Sequence, residues 1–221
     1  VRDAMEETIS GGRKEKNPRP SINSYMYGNA MALAKMARLS EANTDWLKYT
    51  NKADSVKHLL QTKLWNAQHQ FFEVRKEQGD TLANVKEEIG FLPWYFNMPD
   101  SNFNVAWKNV TDIKTFCAPY GITTADRSHP QFRTHGCCKC EWDGAVWPFA
   151  TSQTLTAMAN LLNNYQQKYV TSKNYFEQLE TLVKSQYVNG KPYIGEYLDE
   201  KTGVWLKGEE RSRYYNHSTF N

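Results

Sequence analysis

Apolar residues recur at three- and four-residue spacing in four stretches of the chain, and each stretch predicts an amphipathic helix. The first starts after Ser21 or Asn23 and runs to about Leu39, carrying Tyr25, Met26, Ala30, Leu33, Ala34, Met36 and Ala37. Small residues on one of its faces predict a close approach by a neighbouring element. Thr44-Asp45 then caps a second helix through Trp65, with Trp46, Tyr49, Ala53, Val56, Leu60 and Leu64 at helical spacing. A short loop between these two predicts a helical hairpin. Pro148, suited to a first helical turn, opens a third helix to Tyr165. Thr171-Ser172 caps a fourth through about Val188.

The segments between the helices read differently. Gln68 to Val74 is expected to be extended, Val85 to Asn97 is mixed, and Ser101-Asn102 caps a short helix through Trp107. Residues 111 to 147 form a long, turn-rich stretch around Pro119-Tyr120-Gly121 and Pro130. A loop of that length inside a domain usually carries function or is disordered, and its aromatic and charged content favours function. After Gly190 the chain is expected to be extended until His217, where another helix begins. No short-period repeat is present. Helix pairs with long loops gathered between them point to a helical toroid rather than a bundle.

Composition narrows the function. The 221 residues are 40% hydrophobic, enough for one domain with a sizeable core. Aromatic residues make up 14%, more than a helical core built from Leu and Ile needs. Such rings either present flat apolar faces to sugars or fill the core, and both uses stay open. The net charge of +3 is interspersed and forms no basic stripe, which excludes nucleic acid as the expected partner. No apolar run approaches the ~20 residues of a membrane span. The chain opens on Val1-Arg2-Asp3 with neither an initiator Met nor a leader, so it is expected to begin partway through a larger protein.

Three of the four cysteines crowd into His135-Gly136-Cys137-Cys138-Lys139-Cys140. Zinc sites usually pair cysteines at C-x2-4-C, and Cys138-Lys139-Cys140 is too tight for that. No metal and no cofactor is therefore expected; the bland reading is loop thiols, and a disulfide to Cys117 stays open.

Three stretches could carry chemistry: Asp3 to Gly12, Cys140 to Phe149 and Gly195 to Trp205. Taken singly they read as a frayed terminus, a helix cap with aromatic packing, and a plain loop. Cleavage of a glycosidic bond needs two carboxyl groups, one protonating the departing oxygen and one activating water or attacking directly. Three acidic, aromatic loops at helix-pair junctions meet that need jointly.

The run Arg19-Pro20-Ser21-Ile22-Asn23-Ser24-Tyr25-Met26-Tyr27-Gly28-Asn29-Ala30 resembles a signature of mannosylglycerate-hydrolase-like glycoside hydrolase domains. So do Gly90-Phe91-Leu92-Pro93-Trp94-Tyr95-Phe96, Tyr120-Gly121-Ile122-Thr123-Thr124-Ala125-Asp126-Arg127 and the ten residues from Trp142 to Thr151. These domains belong to the six-hairpin glycosidases, with trehalase and processing glucosidases among their relatives.

The resemblance implies an all-α fold, an (α/α)6 toroid of which residues 1–221 form a single domain. That domain corresponds to the C-terminal part of the catalytic toroid, short at both ends. It implies hydrolysis of an α-linked glycoside by inversion, with Glu6 as general acid and Glu196 as general base. Glu141, Trp142, Asp143 and Trp147 are expected to touch substrate, with Arg127 and Trp94 as weaker members of that set. Secretion or periplasmic residence is expected on the same ground.

Ala4 departs from the Asp-Gly-Met-Glu turn of near relatives, and only about half of a toroid's helices are predicted. An open row of inner helices would expose an apolar wall, so pairing with a second copy, or with a missing segment from the same gene, is expected. Competing readings are a non-catalytic carbohydrate-binding fragment, a structural toroid with a protein partner, and a thiolate metal site.

Overall fold

The computed structural model describes residues 8–12, 14–136 and 141–206. Helix α1 spans Pro20–Leu39, α2 Asn43–Lys63, α3 Pro148–Asn164 and α4 Ser172–Ser185. Two 3₁₀ segments, Glu88–Phe96 and Ser101–Asn109, lie where mixed structure and a short helix are expected. Four two-residue antiparallel ladders complete the described residues, so the chain is mainly helical rather than strictly all-α. They pair β1 (Trp65–Asn66) with β2 (Phe71–Phe72) and β3 (Arg75–Lys76) with β4 (Thr81–Leu82). The others pair β5 (Cys117–Ala118) with β6 (Gly121–Ile122) and β7 (Tyr187–Val188) with β8 (Lys191–Pro192).

Two helix ends differ from expectation for local reasons. Helix α2 begins at Asn43 after Ala42 and has no side-chain cap, so Thr44-Asp45 lies inside the first turn. Helix α4 stops at Ser185 rather than Val188. Its last expected turn is taken by the β7–β8 hairpin, closed by Asn189 and Gly190, both at positive φ (52° and 74°). Asn-Gly with both residues left-handed is the turn that matches strand twist in a two-residue hairpin. The other end of α4 agrees with the sequence. Thr171 Oγ1 accepts from the Asn174 amide at 3.3 Å, and Asn174 Oδ1 accepts from the Thr171 amide at 3.0 Å.

Helix α1 buries a face of small residues (Ser21, Ser24, Ala30, Ala34 and Ala37) and packs on α2 and on the first 3₁₀ segment. Gly28 is required by that contact: a Cβ there would lie 2.3 Å from the Phe96 ring. Exposed apolar side chains remain on the outer faces, including Met36, Leu39, Leu47, Leu59 and Phe176. No helix among the described residues is long and apolar enough to cross a membrane.

The aromatic excess is largely core. Phe91, fully buried, meets Trp107 at 4.6 Å, Phe71 at 5.0 Å and Phe116 at 5.3 Å between ring centroids. Trp94 belongs to the same cluster, packs on Phe72 and Trp107, and donates its Nε1–H to Asn104 Oδ1 at 2.9 Å. It has 0% exposure. A ring with no surface cannot stack a sugar, so Trp94 is a structural residue here and not a substrate contact.

Replacing Phe91 by Ala removes the ring on which three others converge. An equilibrium denaturant titration should show a loss of about 3–5 kcal/mol with little change in its slope.

Candidate functional site

The turn-rich stretch before α3 and the extended stretch after α4 meet. Val146 and Leu198 exchange both backbone hydrogen bonds at 3.0 Å, and Val146 is bridged on its other side to Thr123. Trp147 supplies the residue before Pro148 at the start of α3, so its ring is held by a helix end. It stacks on Trp142 (4.3 Å between centroids, 20° between planes) and on Tyr197 (4.7 Å, 13°). Parallel aromatic contacts of this kind add roughly 0.5–1.5 kcal/mol each beyond the area they bury.

Glu141 lies along the edge of this stack and is buried. Its Oε2 accepts from the Tyr197 hydroxyl at 3.0 Å and its Oε1 from the Gly136 amide at 2.6 Å, while its carbonyl accepts from Trp147 Nε1 at 2.6 Å. Asp143 is held from the outside: Oδ2 accepts from Arg133 Nε at 3.0 Å and Nη2 at 2.6 Å. Its Oδ1 is buried with no hydrogen-bond partner among the described residues. Gly144 is needed where the loop crosses residue 133, since a Cβ would stand 2.5 Å from the Arg133 carbonyl oxygen. Glu200, fully buried, accepts from Thr134 Oγ1 at 2.5 Å. Glu196 is 4% exposed and directly precedes the stacked Tyr197.

Under this layer lies the turn at Glu87-Glu88. Glu87 is bridged to Ala125, the Glu88 amide donates to the Thr124 carbonyl at 2.9 Å, and the Thr124 amide donates to the Ala145 carbonyl at 3.2 Å. Glu88 is buried, and its Oε1 accepts from Thr154 on α3 at 3.0 Å. Burial pushes this carboxyl well above the usual carboxylate range, offset only in part by the Thr154 hydrogen bond.

The structure therefore gathers Glu141, Trp142, Asp143 and Trp147 at one buried, ring-lined junction, and the buried Glu196 directly precedes the stacked Tyr197 in the segment that joins it. Glu6 and the Cys137, Cys138 and Cys140 cluster lie outside the described residues, as does the helix expected from His217. Trp147, 3% exposed with two rings stacked on it, has no face left for a sugar and holds the junction together. Arg127 donates to the carbonyls of Ile113 (2.6 Å) and Cys117 (3.2 Å), so it ties its own loop rather than reaching the junction. Cys117 is a free thiol, its Sγ accepting from Gln178 Nε2 at 3.7 Å. A half-open hollow of about 370 Å³ between α1, α3 and α4, lined by Tyr25, Tyr95, Phe149 and Tyr175, is bordered by none of these carboxylates.

The region also contains Tyr197, Glu88, Arg133 and Glu200, which are not among the expected site residues. Tyr197 stands beside an assigned carboxylate and was legible as a ring for the stack. Glu88 precedes an apolar run and reads as a solvated charge until Thr124 and α3 close over it.

The profile of a family described as the mannosylglycerate hydrolase MGH1-like glycoside hydrolase domain matches residues 2–218. A solved structure titled "Sialidase" is 60% identical, with a TM-score of 0.94 over 99% of this chain. This chain spans 20% of the length of that relative. The GH63 mannosylglycerate hydrolase from Thermus thermophilus is 18% identical in its complexes with Tris and with glucose, with TM-scores of 0.68 and 0.66. This chain covers 44% and 45% of those chains, and the likeness shows a shared fold. No curated protein matches in sequence.

The buried Glu88 carboxyl gives a test of this site's electrostatics. With its folded pKa raised, the native state keeps a proton that the unfolded chain releases near pH 4.3, so native stability should fall as pH rises above about that value. Glu88→Gln removes this contribution. The stability of the unaltered chain relative to Glu88→Gln should therefore decline in urea melts as pH rises above about 4, and a flat difference would contradict the raised Glu88 carboxyl.

Proposed function

The chain belongs to the mannosylglycerate hydrolase MGH1-like glycoside hydrolase domain family, and from that premise we propose that it cleaves an α-linked glycoside by inversion. In this reading its helices form part of an (α/α)6 toroid with the ring-lined junction at the hollow centre. The exposed Met36, Leu39, Leu47 and Phe176 fit faces covered by further helices of that toroid or by a second copy.

Glu196 acts as general base and takes a proton from the attacking water. Glu6 acts as general acid and gives its proton to the departing oxygen. Inversion leaves room for the water between them, so the two carboxyl groups are expected roughly 6.5–9.5 Å apart. Trp142 and Asp143 contact the sugar, with Asp143 held from its other side by Arg133. Glu141, bound through its carboxylate by Tyr197 and Gly136 and through its carbonyl by Trp147, holds these groups in register.

The observation that carries this reading is the joining of the Trp142-Asp143-Gly144 loop to the segment bearing Glu196 through Val146, Leu198 and the Trp142–Trp147–Tyr197 stack. Two carboxylate-bearing loops far apart in sequence are thereby fixed against each other without either being a regular element. Rigid placement of reacting groups is what glycoside hydrolysis demands of a protein.

A second reading has its own support. The 60%-identical structure is titled "Sialidase", yet this chain matches only a fifth of it, so the region could bind carbohydrate for chemistry done elsewhere. Glu196→Gln separates the two. Hydrolysis should fall by several orders of magnitude, roughly 10³-fold or more, while calorimetric binding of the same sugar stays within a few-fold. Unchanged turnover would assign the hydrolysis to another region and leave binding as the role of this one.

A further inference from the structure

Thr8 to Gly12, the stretch that follows Glu6, is gripped by three buried side chains from elsewhere in the chain. Glu87 Oε1 accepts from the Ser10 amide at 2.9 Å and Oε2 from the Ser10 hydroxyl at 2.7 Å, across 77 positions of sequence. Arg19 donates to Thr8 Oγ1 at 3.4 Å and to the Gly11 carbonyl at 2.5 Å. Asn17 Nδ2 donates to the Ser10 carbonyl at 3.1 Å, and Asn17 Oδ1 accepts from the Glu77 amide at 3.0 Å. Ser10, Glu87, Arg19 and Asn17 are 0%, 2%, 3% and 4% exposed.

Burying a carboxylate and a guanidinium costs several kcal/mol per ion unless hydrogen bonds replace the lost water. A stretch that only needed to be kept from fraying could be pinned by apolar side chains at no such cost. Directional bonds to an amide, a hydroxyl and two carbonyls instead fix the position and orientation of the backbone. Glu87 is the member that transmits this to the site, because it is bridged to Ala125 while the neighbouring Glu88 amide binds Thr124, which in turn binds Ala145 in the loop carrying Asp143. The stretch after Glu6 and the Trp142-Asp143-Gly144 loop are thus referenced to one floor.

We infer that Glu87, through its paired hydrogen bonds to Ser10, is a positioning residue for the general acid. This rests on the reading in which Glu6 supplies that acid. A general acid matters only when the departing oxygen needs a proton; fluoride leaves with little help, whereas phenoxide does not. Loss of the clasp should therefore be felt selectively.

The test compares phenyl α-glycosides with α-glycosyl fluorides of glucose and mannose, using the full native protein. Ser10→Ala, which deletes one hydroxyl, and Glu87→Ala should each lower kcat on the phenyl glycoside roughly 10–100-fold with KM nearly constant, and change fluoride turnover by less than about threefold. Glu87→Gln should recover part of the loss, and the double variant should be little worse than the poorer single one, as expected for a shared interaction. Glu6→Gln should show the same selectivity with a larger loss. Where Glu87→Ala unfolds the protein, Ser10→Ala decides. If Glu6→Gln is selective but Ser10→Ala loses equally on both substrates, or on neither, the clasp proposal alone is overturned. If Glu6→Gln shows no selectivity, or the unaltered protein turns over neither sugar, the acid assignment falls and the clasp falls with it.

Discussion

Trp147 stands where a loop becomes a helix, with Trp142 and Tyr197 stacked on it and Pro148 setting the first turn of α3 behind it. The described junction is referenced to that ring. Its indole N–H fixes the Glu141 carbonyl, Tyr197 on the stack fixes the Glu141 carboxylate, and the neighbouring residue of each segment forms the Val146–Leu198 pair. Loops that share no regular secondary structure need such a device. Stacked rings bury large area with few torsions to freeze, so they lock position at low entropic cost. The indole that resembles a sugar platform in the sequence is better understood as the post against which the neighbouring buried carboxyl groups are set.

Around this post the protein accumulates buried polar groups. Glu87, Glu88, Glu141, Asp143, Glu196 and Glu200 are all buried, and Thr123, Thr124, Thr151 and Thr154 line the same region. A core built only for stability would replace most of them by apolar residues of the same volume. Their concentration in one place, beside an aromatic core whose few buried polar groups include Asn104 and Glu73, separates the molecule into two parts. The Phe71–Phe91–Trp107 cluster supplies stability, and the junction uses some of it to hold carboxyl groups away from water. Desolvation of that kind differentiates carboxyl groups, as the raised Glu88 carboxyl illustrates, and acid–base chemistry depends on such differences.

The relatives carry the same fold within longer chains. It matches a fifth of one solved chain at 60% identity and under half of another at 18%, with the fold retained in both. The same helical scaffold thus occurs in chains of different length and description, and function is to be sought in the loops.

The sequence by itself determined the helices with a strong apolar period or a strong terminal signal: α1, α2, α3 with Pro148 at its start, and α4 with the Thr171 cap. It also marked the acidic, aromatic loops as the place to look, because neither a solvated loop nor a core segment needs that mixture. Tertiary structure decided which rings face which way. Trp94 and Trp142 carry the same side chain in equally aromatic surroundings, yet one is sealed among Phe72 and Trp107 and the other stacks on Trp147 at the loop junction. Local pattern cannot distinguish them, since burial is set by partners tens of residues away. The same holds for Glu87 and Glu88. Adjacent charges before an apolar run look solvated, and only contact with Ser10 on one side and Thr154 on the other makes them interior groups. Helices follow from spacing within a turn, whereas a site made of loops follows from contacts that close only when the chain has folded.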